Sequence, residues 1–249
     1  MTNPVVLSPA RRFAATLLCA LAIFFSARHL PAQAVASSDA TPFHLNSGHL
    51  PFEFGALVQG GKGFTDNRDG FKFIMAGVHA GKVLTYNHGF GPIRGNFEYA
   101  VEAFPFWQSY TPKFQREMCT TPTNCTAPYT VGGTFTGASI TPIILRWNFV
   151  GTRRISPWIQ GAGGVLWTNH KYPAFGGPPY NPVNDGPNSD ASVWNFTPQA
   201  GVGAHFFLSP RRSVDFGINA VHISSASLGD KNPGVNASIH LFLGYTWWK

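Results

Sequence analysis

From Val235 to Trp247 the odd positions read Val235, Ala237, Ile239, Leu241, Leu243, Tyr245 and Trp247, and the even ones carry Asn236, Ser238, His240, Gly244 and Thr246. Successive side chains of an extended strand point to opposite faces, so this pattern gives one apolar face and one small or polar face. Two more stretches repeat it. Ile93, Phe97, Tyr99, Val101 and Ala103 alternate with Arg94, Asn96, Glu98 and Glu102. Trp194, Phe196, Ala200, Val202, Ala204 and Phe206 alternate with Asn195, Thr197, Gln199 and glycines.

These strands run about ten residues or more, longer than the ~5–6 of soluble sheets and close to the ~9–11 that cross a bilayer. Eight such segments are predicted, near 53–64, 71–85, 92–107, 132–150, 156–168, 193–208, 213–224 and 235–248. The fourth and fifth alternate more weakly. An even number of long strands, apolar on one face, is the pattern of an eight-stranded antiparallel transmembrane β-barrel, an all-β fold of the outer membrane. Closure leaves no strand edge facing lipid. Charged residues make up only 12% of the chain and aromatics 14%, which excludes a disordered chain and suits a turn-rich β protein.

The segment before residue 35 reads as a secretory signal peptide. Arg11 and Arg12 precede an apolar run from Phe13 to Phe25, and Ala32-Gln33-Ala34 is a small-x-small cleavage site. The expected division is 1–34 signal peptide, 35–51 polar lead-in and 52–249 a single barrel domain. Without Arg11, Arg12 and Arg28 the chain keeps 15 of its 18 Lys plus Arg against 11 acids. That mild excess permits contact with anionic lipid, but no basic cluster forms a nucleic-acid footprint. Cys119 and Cys125, close together in an exported chain, are expected to form a disulfide. No His or second Cys pair stands at ligand spacing, so no metal and no cofactor are expected.

Connection lengths orient the barrel. The links after strands two, four and six are short (86–91, 151–155, 209–212), and those after strands three, five and seven are longer (108–131, 169–192, 225–234); only the first, 65–70, is short for its class. Outer-membrane barrels have short periplasmic turns and long external loops. Strand seven therefore ends outside. Its even residues Val214, Phe216, Ile218 and Ala220 form the lipid-facing row, and His222 and Ser224 continue it. Two positions apart on a strand, a His can act as general base for a Ser nucleophile attacking an ester. Glu98 and Glu102, with Arg94, are expected to form an ion network filling the lumen, and His79, His205 and His240 to be interior residues. Trp107, Trp158, Trp167, Trp194, Trp247 and Trp248 are expected in an interfacial aromatic girdle.

The stretch His222-Ile223-Ser224-Ser225-Ala226-Ser227, followed by Asn232-Pro233-Gly234-Val235-Asn236 and a strand ending Leu243-Gly244-Tyr245-Thr246-Trp247, resembles the lipid A 3-O-deacylases, the PagL family. The sharp part of the likeness covers about the last forty residues of the chain. It implies an outer-membrane esterase that removes the ester-linked 3-hydroxyacyl chain of lipid A without a metal. Lipid A, or lipopolysaccharide, of the outer leaflet would be its partner; homodimerisation stays open. His222 matches the family's base and Ser224 its nucleophile. Ser225 stands where the family usually has an Asn tied to the oxyanion hole, and Ala226 matches the position after it. Asn236 stands where the family has the Glu that orients the imidazole, and Asp230 lies in the same loop. The competing expectation is a non-catalytic barrel with a structural or adhesive role. A soluble periplasmic sandwich, the remaining alternative, predicts extraction without detergent.

Overall fold

The computed structural model describes residues 42–43, 48–65, 68–117, 119–121, 124–125, 127–151, 154–172, 192–226 and 237–249. Residues 39–249 form one compact unit. The signal-peptide and lead-in expectations fall almost wholly outside the described residues.

The strands are β1 (Phe52–Gly63), β2 (Lys72–Val83), β3 (Gly95–Arg116), β4 (Cys119–Thr121), β5 (Asn124–Cys125), β6 (Tyr129–Phe149), β7 (Ile155–Thr168), β8 (Trp194–Phe196), β9 (Gln199–Ser209), β10 (Arg212–His222) and β11 (Ala237–Trp248). All pairings are antiparallel. The sheet runs β6-β3-β2-β1-β11-β10-β9-β7-β8, and β6 also pairs with β7, which closes it. β8 and β9 are one broken stave, so the barrel has eight and β10 is the seventh. The break falls at Thr197-Pro198, where proline has no N–H to give a ladder.

The alternation predicted from sequence is the alternation observed. Val58, Val202, Phe216, Ile218, Leu241 and Leu243 are exposed on the outer wall, while Leu57, Val221 and Phe242 are buried inside. Three expectations need correction. The region 108–131 is not mainly loop: β3 and β6 continue past the barrel as a two-stranded ribbon, tipped by the β4–β5 hairpin. In that hairpin Cys119 and Cys125 are register partners, and Cys125 is disulfide-bonded.

The second correction concerns the ion network. Its cation is Arg146, whose Nη1 donates to Glu53 Oε1 and Glu98 Oε1, each at 3.1 Å. Arg94 is exposed beside the 3-10 turn at Gly91–Ile93. Arg146 also donates from Nε to Gln160 (3.0 Å) and lies over the Trp158 ring. Glu102 is buried in the lumen as expected, as are His205 and His240; His79 bonds to Thr246.

The third correction concerns the tryptophans. Trp167, Trp194 and Trp247 are exposed on the outer wall, but Trp107, Trp158 and Trp248 fill the lumen. Trp158 stacks on Phe242 there, and inward glycines leave it room: a Cβ at Gly203 would lie 2.3 Å from the Trp158 ring.

Apolar layers close both ends of the lumen. At the end where β1 finishes and β2 begins, Phe71, Phe73, Trp107, Phe135, Tyr172 and Ile223 pack together, with Arg68 stacked on Phe71 and Tyr172. At the other end Phe43 packs edge-on against Phe207 and Trp248. A small barrel filled in this way is a packed rod and not an open pore.

Candidate functional site

The C-terminal end of β10 and the residues just after it carry the predicted pair. Along β10 Val221 and Ile223 are 6% and 3% exposed, whereas Ala220 is exposed and His222 and Ser224 are partly exposed. No bulge interrupts this parity, because the strand stays tied to its neighbour past its formal end. His222 N–H donates to Pro198 O (2.9 Å), and Phe196 and Ser224 exchange both backbone hydrogen bonds at 2.6 and 3.0 Å. His222 and Ser224 therefore stand on the outer wall in line with Phe216, Ile218 and Ala220.

The wall around them is apolar. Phe196, the bridge partner of Ser224, is exposed, as are Trp194 and its cross-strand partner Trp167. On the other side His222 faces Ala237 in register, and Ala220 faces Ile239. An aromatic ledge on one flank and small or aliphatic residues on the other give a surface fit for acyl chains.

Beyond Ser224 the chain turns. Ala226, the one described non-glycine residue with positive φ, has φ 46°. The left-handed region costs an alanine roughly 1–2 kcal/mol, and such strain collects at functional sites. Part of the compensation is a hydrogen bond from the Ala226 N–H to Ser224 Oγ at 3.2 Å, the bond of a serine turn. It sets a backbone donor beside the hydroxyl.

The remaining predicted residues are distributed unevenly. The Ser225 side chain lies on the opposite face of the strand from Ser224. It is fully buried, and its Oγ has no hydrogen-bond partner. Asn236 and Asp230 lie outside the described residues. The residue after Asn236, Ala237, is the register partner of His222. Among the described residues no cluster of three or more His, Cys, Asp or Glu is arranged to hold a metal.

A closed eight-stranded antiparallel barrel with an apolar outer wall defines a class, the small outer-membrane barrels. The model of the family described as lipid A 3-O-deacylase (PagL) matches residues 93–246, more than half of the chain. The chain belongs to that family and is a Gram-negative outer-membrane protein.

Among solved structures it is similar to the outer membrane enzyme PagL, with 15% identity, 76% of this chain and 97% of that chain covered, and a TM-score of 0.39. It is also similar to Neisserial surface protein A, with 13% identity, 79% and 96% covered, and a TM-score of 0.44. For the N-terminal barrel of Pseudomonas aeruginosa OprF the values are 9% identity, 79% and 97% covered, and 0.39. No curated protein matches the chain significantly in sequence.

Proposed function

We propose that this barrel hydrolyses the ester-linked 3-hydroxyacyl chain of lipid A in the outer leaflet, with Ser224 as nucleophile and His222 as general base. The observation that carries the reading is the outward placement of both side chains on the apolar wall, held by the Phe196–Ser224 bridge. A lumen-facing pair could not meet a lipid ester. An outward pair at the rim stands where the acyl esters of a glycolipid lie.

In this mechanism the His222 imidazole takes the Ser224 hydroxyl proton as Oγ attacks the ester carbonyl. The oxyanion that forms needs backbone donors. The Ala226 N–H, already directed at Ser224 Oγ, is the nearest described candidate. The inward side chain of Ser225 leaves only its backbone for that role. Collapse of the tetrahedral intermediate expels the sugar 3-oxygen, which takes the proton back from the imidazolium. Water then attacks the acyl-serine by the same route, releasing a 3-hydroxy fatty acid and free Ser224.

Asn236 is assigned to orient the imidazole. It directly precedes Ala237, the residue opposite His222, and an amide oxygen accepts a hydrogen bond from the ring without supplying charge. The amide stabilises the imidazolium less than a carboxylate does. Asn236→Glu is expected to raise kcat by roughly tenfold or more, since loss of the orienting carboxylate costs up to ~10⁴ in serine hydrolases. Steady-state hydrolysis of lipid A in mixed micelles checks this; an unchanged or lower kcat in a folded variant contradicts the assignment.

The test of the reading is mass spectrometry of lipid A from cells with and without the protein. The expected result is lipid A lighter by one 3-hydroxyacyl group in the cells that carry it. Unchanged lipid A, with the barrel correctly inserted, would sink the proposal in favour of a non-catalytic barrel.

A further inference from the structure

Lys62 and Lys72 stand directly opposite each other in the register of β1 and β2. Both are exposed, and both lie at the outer ends of their strands. Parity sets them on the outer wall. Lys62 continues the exposed row Phe54, Ala56 and Val58, and Lys72 alternates with the buried Phe71 and Phe73. Like charges directly opposite on neighbouring strands destabilise a sheet. Among the described residues no carboxylate pairs with either ammonium. The described acid nearest in sequence to Lys72, Asp69, accepts the Gly70 N–H at 2.9 Å.

A lipid-facing wall is a costly place for a cation at mid-bilayer and a cheap one near the headgroups. Long lysine stems lift their ammonium toward that layer. Two cations in register near the rim fit an anion supplied from the headgroup layer. Tyr110, exposed and the register partner of Lys72, extends the row. Its hydroxyl donates to Gln108 Oε1 at 2.7 Å, so an aromatic ring and an amide stand beside the charges, a set suited to a sugar.

The distance to the proposed reaction centre is short. Lys62 pairs with Ile239, and Ile239 pairs with Ala220, two residues before His222. Two strand spacings across and two residues along give about 12 Å between the backbones at Lys62 and His222. An acylated, phosphorylated glucosamine bridges that gap once the lysine stems are included. We propose that Lys62 and Lys72 bind a phosphate of the glycolipid headgroup and so hold its acylated sugar against Ser224. This rests on the deacylase reading above; the phosphate is that of the glycolipid, not of a phospholipid.

The experiment separates the two claims. Ser224→Ala protein in neutral vesicles, with and without Lys62→Ala/Lys72→Ala, is titrated with lipid A, with enzymatically dephosphorylated lipid A and with phosphatidylglycerol. In parallel, hydrolysis of phosphorylated lipid A and of a neutral short-chain ester is followed in the Ser224 protein. The lysine double variant is expected to weaken binding of phosphorylated lipid A about tenfold or more. It should leave the dephosphorylated lipid unchanged, raise KM for lipid A with kcat nearly constant, and spare the neutral ester. Lys62→Arg/Lys72→Arg should restore binding. Equal affinity of the lysine variant and its parent for phosphorylated lipid A overturns the proposal. Equal weakening for phosphatidylglycerol overturns the glycolipid assignment. Absence of any hydrolysis refutes the deacylase reading alone, because the binding arm does not use Ser224.

Discussion

Ser224→Ala is expected to lower the rate of lipid A deacylation by at least about a thousandfold, and His222→Ala by a similar factor. The two together should cost little more than either alone, since nucleophile and base act as one unit. Binding should persist. Neither side chain belongs to the lumen packing, both being partly exposed on the outer wall. Each variant should therefore insert as a barrel and keep the resistance of the folded form to dissociation in cold detergent. Deacylation rates measured on equal amounts of folded protein decide it. A Ser224→Ala barrel with undiminished rate excludes Ser224 as nucleophile.

The second large effect is on stability. Arg146→Ala is expected to destabilise the barrel by roughly 3–5 kcal/mol, the cost of leaving buried charges without their partner. Glu53 and Glu98 are 1% and 0% exposed and share one guanidinium nitrogen. Asn148 donates to Glu98 Oε2 at 2.7 Å, yet an amide cannot balance two carboxylates. Arg146→Met combined with Glu53→Gln and Glu98→Gln should recover most of the loss, because the polar layer is then neutral. Urea unfolding midpoints in phospholipid vesicles report both effects. A single variant within about 1 kcal/mol of the parent would show that the carboxylates find other partners.

Arg146 also shows where the sequence stopped being legible. Regular alternation carried the strand count and the outward row of β10, because a strand without bulges keeps its phase. β6 does not keep its phase. The register shifts between Ile140 and Ile143, around Pro142, and the inward positions change from odd (Phe135, Thr141) to even (Ile144, Arg146, Asn148). A proline at a bulge is where a ladder tolerates a missing donor. Read in one phase, the segment shows weak alternation and hides its arginine. β3 behaves alike: the shift between Phe104 and Trp107, across Pro105, turns Trp107 into the lumen. Both prolines are visible in the sequence and could have signalled the change.

The candidate site was legible for the opposite reason. From Arg212 to Ser225 β10 runs without a bulge until after its partly exposed pair, and only the β9 register shifts, at the periplasmic end between Arg212 and Ser213. Parity alone would also have turned Ser225 inward, away from a side-chain part in an oxyanion hole. What pattern could not give is the Ala226 turn and its hydrogen bond to Ser224, which depend on a left-handed backbone at a residue type that rarely adopts one. The cationic pair was equally hidden. Lys62 and Lys72 are ordinary residues in sequence and become neighbours only through the β1–β2 register.

The central claim is that Ser224, on the lipid-facing wall, is an activated nucleophile. The most direct measurement is covalent trapping with a long-chain alkyl phosphonate ester, followed by peptide mass spectrometry of the protein in outer-membrane vesicles. The account predicts a single adduct on Ser224 that disappears in His222→Ala. Absence of an adduct, or an adduct that persists in Ser224→Ala, contradicts it.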